Sequence, residues 1–460
     1  MNPAIETRAA KMTPGMASVA PLLALAWPIV ISLLSYSLMT IVDTLFVSRL
    51  GPSALAGTGF GGTLAFILVC FPMGLIRAVK ALTSQAVGAG RREEMHAYLA
   101  AGLLAALVMG LSVAGLGWIV AEPLSRISAT PEAAENVRNY LRIRLLGTLP
   151  VLALVALQEV RYALGDSRQP MRAAVIANAV HVVIAYVLIA LLGQGVEGAA
   201  WATVGSQCLE AALLVLAQRT AGFEPGRLRR RHLRALWSLG WPTAVQFVLE
   251  VGSFGVLSAM LASWSETDIA AHQIALQVCH VAFLPAIAVG EAASVLVGRA
   301  VGAGRIALVP RIARTALGVV ALYTGSCTLV FAVGARPIVA LFTHDPSLSR
   351  LAEQLLHLAC VFLVADAANI VARCTLRGTG DVRVPALAGI ITAWVMTPPL
   401  TYLLGRVLGW GAVGAWSGLC GEILAGAAFL WWRLCSDGWR KSAERSHVHA
   451  NAHPIPAASG

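Results

Sequence analysis

Charge is scarce in this sequence: Asp, Glu, Lys and Arg make up 12% of the 460 residues, while 58% are hydrophobic. So little polar surface cannot cover a soluble globule of this length, and the chain belongs in a bilayer. Catalytic signatures are missing too, since no HExxH, Walker loop, GxSxG elbow or CxxC occurs. An intramembrane enzyme is therefore left without a visible nucleophile, base or metal constellation, and the energy for any work is expected from an ion gradient and not from ATP. The eight cysteines form no CxxC pair and lie mainly in apolar segments, so neither a disulfide frame nor a zinc site is expected. No cleavable signal peptide is expected ahead of the first span.

What the chain does hold is long apolar runs. Uncharged stretches able to cross ~30 Å of hydrocarbon fall at residues 12 to 42, 50 to 76, 95 to 121, 173 to 196, 315 to 335 and 384 to 405. Six further segments, nearly all carrying an acidic residue, fill the remaining spaces. The expected fold is an all-α integral membrane protein of twelve transmembrane helices.

Glycine, proline and tryptophan landmarks occur twice. Trp27-Pro28 returns as Trp241-Pro242 and Pro72 as Pro285, while Val87-Gly88-Ala89-Gly90-Arg91 returns as Val301-Gly302-Ala303-Gly304-Arg305. Gly165-Asp166 returns as Gly380-Asp381, Pro170 as Pro385, and Gly195-x-x-Gly198-Ala199 as Gly411-x-x-Gly414-Ala415. Every pair is 213 to 216 residues apart, far longer than a solenoid unit. The pattern reads as two homologous six-helix halves, parallel because an even number of spans returns the chain to the same side. Pro28 and Pro242 can kink their helices by clashing with the preceding turn, which makes them hinge candidates.

The net charge of +11 does not point to nucleic acid, because the basic residues sit in alternate loops. Arg91 and Arg92, Arg168 and Arg172, the run from Arg227 to Arg234, Arg305 to Arg314, Arg377 and Arg383, and Arg440 and Lys441 share one side. The positive-inside bias makes that side, with both termini, cytoplasmic. The expected organisation is a cytoplasmic segment over 1–19, an N-lobe over 20–218, a cytoplasmic linker over 219–234, a C-lobe over 235–434 and a disordered cytoplasmic tail over 435–460. The histidines of that tail, His447, His449 and His453, resemble a metal tract only weakly.

A carboxylate inside a bilayer costs ~2.5 to 3.5 kcal/mol on insertion scales, so each one calls for an explanation. Asp43 lies in the outer half of the first span, ~22 Å of helix beyond Pro28. Glu250 is near the middle of the seventh helix and Asp366 is similarly central in the tenth, above a cytosolic pair Arg373 and Arg377. At a shared depth, Glu250 and Asp366 could meet across a cavity. The repeat separates scaffold from chemistry: Glu250 corresponds to Tyr36, Asp366 to Val151 and Asp43 to Leu257, so the turns were kept in both halves and the acids were not. Phe247, Ser253 and Phe254 share a helix face with Glu250, Asn369 follows Asp366, and Tyr36, Met39 and Thr40 share the face of Asp43. Aromatic faces and methionine beside carboxylates suit flat, lipophilic cations. Lys80 and Glu159, the latter near Arg161, read as residues of cytosolic helix ends. Arg77, His181, Glu210, His280, Glu291 and Glu422 lie deeper and are secondary candidates.

These residues resemble the multidrug and toxic compound extrusion family across the membrane region, and more closely its NorM-like than its DinF-like branch. The carriers are Ile41-Val-Asp43-Thr-Leu-Phe-Val-Ser-Arg-Leu-Gly51, Ala270-Ala-His272-Gln-Ile274, Val297-Gly-Arg-Ala-Val-Gly-Ala-Gly-Arg305, and Asp366 through Leu376-Arg-Gly-Thr-Gly-Asp381 to Pro385. The resemblance implies a V-shaped, twelve-helix, monomeric antiporter of the bacterial inner membrane. Such a protein expels organic cations in exchange for protons or sodium and needs no other cofactor. Carried over by position, Asp43 is the first-helix acid and Glu250 and Asp366 are the C-lobe coupling-ion pair. Asn178 matches a fifth-helix asparagine and joins the candidate cavity, but the aspartate that the DinF-like pattern places one turn later is Val182 here, with His181 beside it. The C-lobe pair is accordingly the stronger assignment. A flippase for a lipid-linked saccharide is the rival transporter reading. It needs a cationic cavity, for which Arg77 and Lys80 are the candidates.

Overall fold

A computed structural model describes residues 15–126, 130–220, 222 and 225–451. The described residues form helices and no strand. In chain order these are α1 (Val19–Ser48), α2 (Pro52–Ile76), α3 (Ala78–Gly88), α4 (Arg92–Ser125), α5 (Pro131–Leu146), α6 (Thr148–Ala163), α7 (Arg168–Ala185) and α8 (Gly195–Thr220). There follow α9 (Arg230–Trp264), α10 (Glu266–Gly302), α11 (Val309–Val339), α12 (Pro346–Thr379), α13 (Arg383–Val395), α14 (Thr397–Leu400), α15 (Gly411–Cys435) and α16 (Arg440–Asn451). Among the described residues eleven stretches are long and apolar enough to cross a membrane, and counting α5 with α6, bent by 45°, as one span brings the number to twelve. The protein is thus an all-α, multi-pass membrane protein.

Two compact units emerge. Among the described residues the first comprises Pro28–Val87 and Arg91–Ala244, and the second Gly15–Trp27, Gly88–Gly90 and Val245–Asn451. α1 is therefore divided at Pro28 and α9 just past Pro242. The core of the first unit is built around Ile76, Val79, Leu99, Leu152 and Val160, and that of the second around Leu257, Ala275, Leu355, Leu356 and Trp416. Lipid tails are as apolar as leucine, so spans associate mainly through close van der Waals approach at small residues. Gly110 shows this in the first unit, where a Cβ would stand 2.8 Å from Leu149 Cα, and Gly378 in the second, where it would stand 2.7 Å from the Ser294 carbonyl.

The duplicated turns are duplicated in conformation. Gly90 and Gly304 have φ of +71° and +72°, Gly165 and Gly380 +76° and +84°, and Gly195 and Gly411 +55° each, a left-handed region that only glycine enters freely. The aspartates after two of these glycines are both buried and paired: Asp166 with Arg161 at 3.1 Å, and Asp381 with Arg433 at 2.6 Å. α7 and α14 run alike into widened, π-helical turns at Tyr186–Leu191 and Thr401–Val407. In them Leu192 N–H donates to the Val187 carbonyl, as Leu408 does to Leu403, both at 2.9 Å.

Two sequence expectations are corrected. The tail is not disordered from residue 435: α16 forms, anchored by Trp439, whose fully buried indole donates to the Leu434 carbonyl at 3.0 Å. His447 of that helix donates to the Val301 and Gly302 carbonyls at 3.1 and 3.2 Å, so its ring docks the tail. His453 lies outside the described residues. Arg231, read as one charge in a linker run, pairs with Glu94 at the start of α4, joined there by His232 at 3.0 Å.

Candidate functional site

The first unit holds two buried polar stations along one face of α8. Thr203, Ser206 and Glu210 follow one another at helical spacing and so stack on that face. At one end, Asp43 of α1 accepts a hydrogen bond from His181 Nε2 of α7 at 2.7 Å, and Thr203 Oγ1 lies 3.4 Å from its second oxygen. Ser206 Oγ sits 3.4 Å from the other ring nitrogen of His181. At the other end, Glu210 accepts from the Tyr36 hydroxyl at 2.5 Å and from Gln158 Nε2 at 3.0 Å, and Gln158 also donates to Tyr36 at 2.8 Å. His181 and Glu210 are almost fully buried, whereas the Asp43 side chain keeps 21% of its surface open. Asn178 donates to Ser35 Oγ at 2.6 Å, one turn of α7 before His181.

In the second unit, Glu250 of α9 has both oxygens engaged. Gln246 Nε2 donates to one at 2.8 Å, and Arg373 Nη1 of α12 donates to the other at 2.8 Å. Arg373 also reaches back one turn to Asn369 Oδ1 at 3.0 Å, while its shielded Nε has no hydrogen-bond partner among the described residues. Asp366, one further turn along α12, makes no hydrogen bond or ion pair among the described residues. Glu422 of α15 accepts from Thr397 Oγ1 at 2.8 Å. Glu250 and Asp366 act on each other's charge but make no hydrogen bond to each other among the described residues. An arginine from the same helix as Asp366 fills the place, because its stem points toward the N-terminal turns of α12 as helical side chains do. Arg373 was read as a cytosolic charge, yet its spacing from Asp366 and Asn369 already set it on their face.

The remaining candidates stand elsewhere on these helices. Ser253 is buried and donates to the Ala393 carbonyl at 2.8 Å, and Phe254 stacks 5.7 Å from His272, which accepts from the Trp416 indole at 3.0 Å. Thr40 returns its hydroxyl to the Tyr36 carbonyl at 3.2 Å, Met39 and Phe247 are half-buried, and Pro28 and Pro242 stand inside α1 and α9. Lys80 is buried and paired with Glu159 at 2.9 Å. Glu159 thus pairs across helices with Lys80, while the nearby Arg161 takes Asp166.

The MatE family profile matches residues 28–187 and 242–403, one block in each half and beginning at each duplicated proline. The chain belongs to the MatE family. It is 30% identical over 437 residues to the probable multidrug resistance protein NorM of Pseudomonas syringae pv. tomato, covering 89% of this chain and 94% of that one. It is 32% identical over 470 residues to the probable multidrug resistance protein NorM of Burkholderia pseudomallei, covering 96% and 97%. Among solved structures, an outward-facing multidrug resistance MATE family transporter of the MOP superfamily superposes with a TM-score of 0.85 at 20% identity, covering 91% of this chain and 96% of that chain. The eukaryotic MATE transporter AtDTX14 gives 0.83 at 20% identity, over 94% and 98%. As a MatE protein the chain is a transporter and not an enzyme. The family blocks contain Asp43, His181, Glu250, Asp366 and Arg373, whereas Thr203, Ser206, Glu210 and Glu422 fall outside them.

Proposed function

We propose that this protein is a secondary active multidrug efflux antiporter that expels small organic cations from the cell in exchange for protons, working by alternating access. It would sit in the bacterial inner membrane as a monomer with both termini in the cytoplasm. Its NorM relatives are named for multidrug resistance. One observation carries the reading: a carboxylate placed at a cost in a spanning helix is left partly open, with 21% of the Asp43 side chain accessible. A negative charge of that kind attracts an organic cation and, when protonated, releases it.

The neighbours of Asp43 and Glu250 favour the proton over sodium. Sodium is a hard ion that wants several oxygen ligands, by the same reasoning that holds for calcium and magnesium. Here a ring nitrogen faces Asp43, and a guanidinium and an amide NH2 face Glu250. The flippase reading loses one of its two basic residues, since Lys80 is committed to Glu159.

Ethidium efflux from inverted vesicles, driven by a proton gradient alone and then by a sodium gradient alone, tests the proposal. Efflux with the proton gradient only is the expected result. Efflux driven by sodium only, or by neither gradient, overturns it.

A further inference from the structure

The second unit has an arginine where a transported or coupling cation would be looked for. Arg373 lies two turns from Asp366 and one from Asn369 on a common face of α12, its side chain directed along that face. It caps one oxygen of Glu250 at 2.8 Å while Gln246 caps the other. Its pairing is incomplete, because the shielded Nε donor is unused. Glu250, Asp366 and Glu422 are the carboxylates whose charge acts on it, and of these Glu422 is held by Thr397. Asp366 alone makes no hydrogen bond or ion pair among the described residues. One guanidinium thus serves Glu250 and stands one turn short of Asp366.

We propose that Arg373 is a tethered cation that sets the ion specificity of this unit. Its guanidinium takes the position at Glu250 that a dissolved cation would occupy and so shuts sodium out of that carboxylate. When a proton settles on the Glu250 oxygen and removes its charge, the guanidinium passes along α12 to Asp366, and loss of that proton returns it. The acid that is open to an organic cation therefore alternates: Asp366 while Glu250 is charged, and neither while Glu250 is protonated. The cargo is released at the second stage by an internal competitor. An arginine suits this task because its charge persists at every physiological pH and its fork can hold two acceptors at once.

This inference rests on the antiport reading, so its test is read from sodium and from stability in the purified full-length protein and not from efflux. Melting temperature is followed while sodium chloride replaces choline chloride at constant ionic strength. The parental protein is expected to show no sodium-specific shift, and so is Arg373→Lys, which keeps the charge. Arg373→Met is expected to gain a sodium-specific rise that disappears in Glu250→Gln/Arg373→Met. A parental sodium rise that Glu250→Gln abolishes, or a folded Arg373→Met with no rise, overturns the proposal.

Should Arg373→Met fail to fold, a cycle on the two acids decides. Glu250→Gln and Asp366→Asn should each lower the melting temperature modestly, because the guanidinium retains one partner. Together they should lower it by more than the sum. Strict additivity refutes the exchange of partners. Loss of efflux with these sodium and stability results intact would fault the antiport reading alone.

Discussion

Replacing His181 by alanine separates a structural from a functional role for the first-helix acid. The ring is fully buried and gives Asp43 its one short hydrogen bond, at 2.7 Å. A hydrogen bond to a charged group is worth ~1.5–3 kcal/mol, and the space left by the ring adds to the loss at roughly 24 cal/mol per Å3 of unfilled cavity. His181→Ala should therefore destabilise the protein by about 3 kcal/mol. Thr203→Val removes the other neighbour of Asp43 and should behave differently. A hydroxyl has one proton, and that of Thr203 is better placed on the Ala199 carbonyl at 3.0 Å than on Asp43 at 3.4 Å. Its loss should cost less than about 1 kcal/mol. Ethidium efflux from inverted vesicles, normalised to folded protein by fluorescence-detected size exclusion, should fall by about tenfold or more in His181→Ala, which corresponds to ~1.4 kcal/mol in a rate. Thr203→Val should stay near the parental rate, and His181→Gln, which keeps a donor, should recover part of the loss. Equal losses in the alanine and valine variants, or parental efflux from His181→Ala, would refute the reasoning.

Three further outcomes are expected. Tyr36→Phe and Gln158→Leu should each cost ~1–3 kcal/mol by leaving a buried Glu210 oxygen short of a donor, and because both serve the same oxygen their effects should couple by at least ~0.5 kcal/mol; additive melting shifts would contradict this. Single-cysteine labels near Gly88, Arg229, Gly304 and Gly380 should react only from the cytoplasm and those near Gly195, Ser265 and Gly411 only from outside, so cytosolic labelling at 195 would break the twelve-span topology. Asp345 caps α12 at its N-terminus, and the Leu348 backbone N–H, with the Ser347 hydroxyl and backbone N–H, holds its carboxyl below the usual aspartate range. Its stabilisation is then present above the unfolded pKa of ~3.9 and lost as pH falls through the lower folded value. The melting difference between parental protein and Asp345→Ala should accordingly exist at neutral pH and close in strong acid.

The architecture was legible because its signals are local. Apolar run length gives spans, and Gly90, Gly165, Gly195 and their copies mark turns that only glycine makes easily. The acids were legible too, since Asp43, Glu250 and Asp366 stand out against lipid-compatible neighbours. Their partners were not. Pairing depends on how each helix is rotated toward another, so Lys80 claims Glu159 across 79 positions of sequence, and Tyr36 claims Glu210 across 174. Arg373 was hidden for a different reason: lying four residues before Arg377, it passed for a charge at the cytosolic helix end although the 3.6-residue period set it beside Asn369. The tail misled through composition, its polar sequence concealing a single tryptophan with enough buried surface to fix a helix.

The matching π-turns record something about how this molecule was assembled. An i to i+5 turn is wide enough to absorb a residue that an α-helix would have to accommodate by rotating everything beyond it. Both copies have such a turn at the same place, with hydrogen bonds that correspond bond for bond: Leu192 to Val187 with Leu408 to Leu403, and Gln194 to Leu188 with Trp410 to Leu404. The ancestral half therefore had the widened turn before it was doubled. The second half has one residue more between Pro170 and Pro385, spaced 215, and Val187 and Leu403, spaced 216, so that residue enters ahead of the bonded turn. From the turn to Gly195 and Gly411 the spacing holds at 216, so the bonds of the widened turn outlasted a change in length upstream of them.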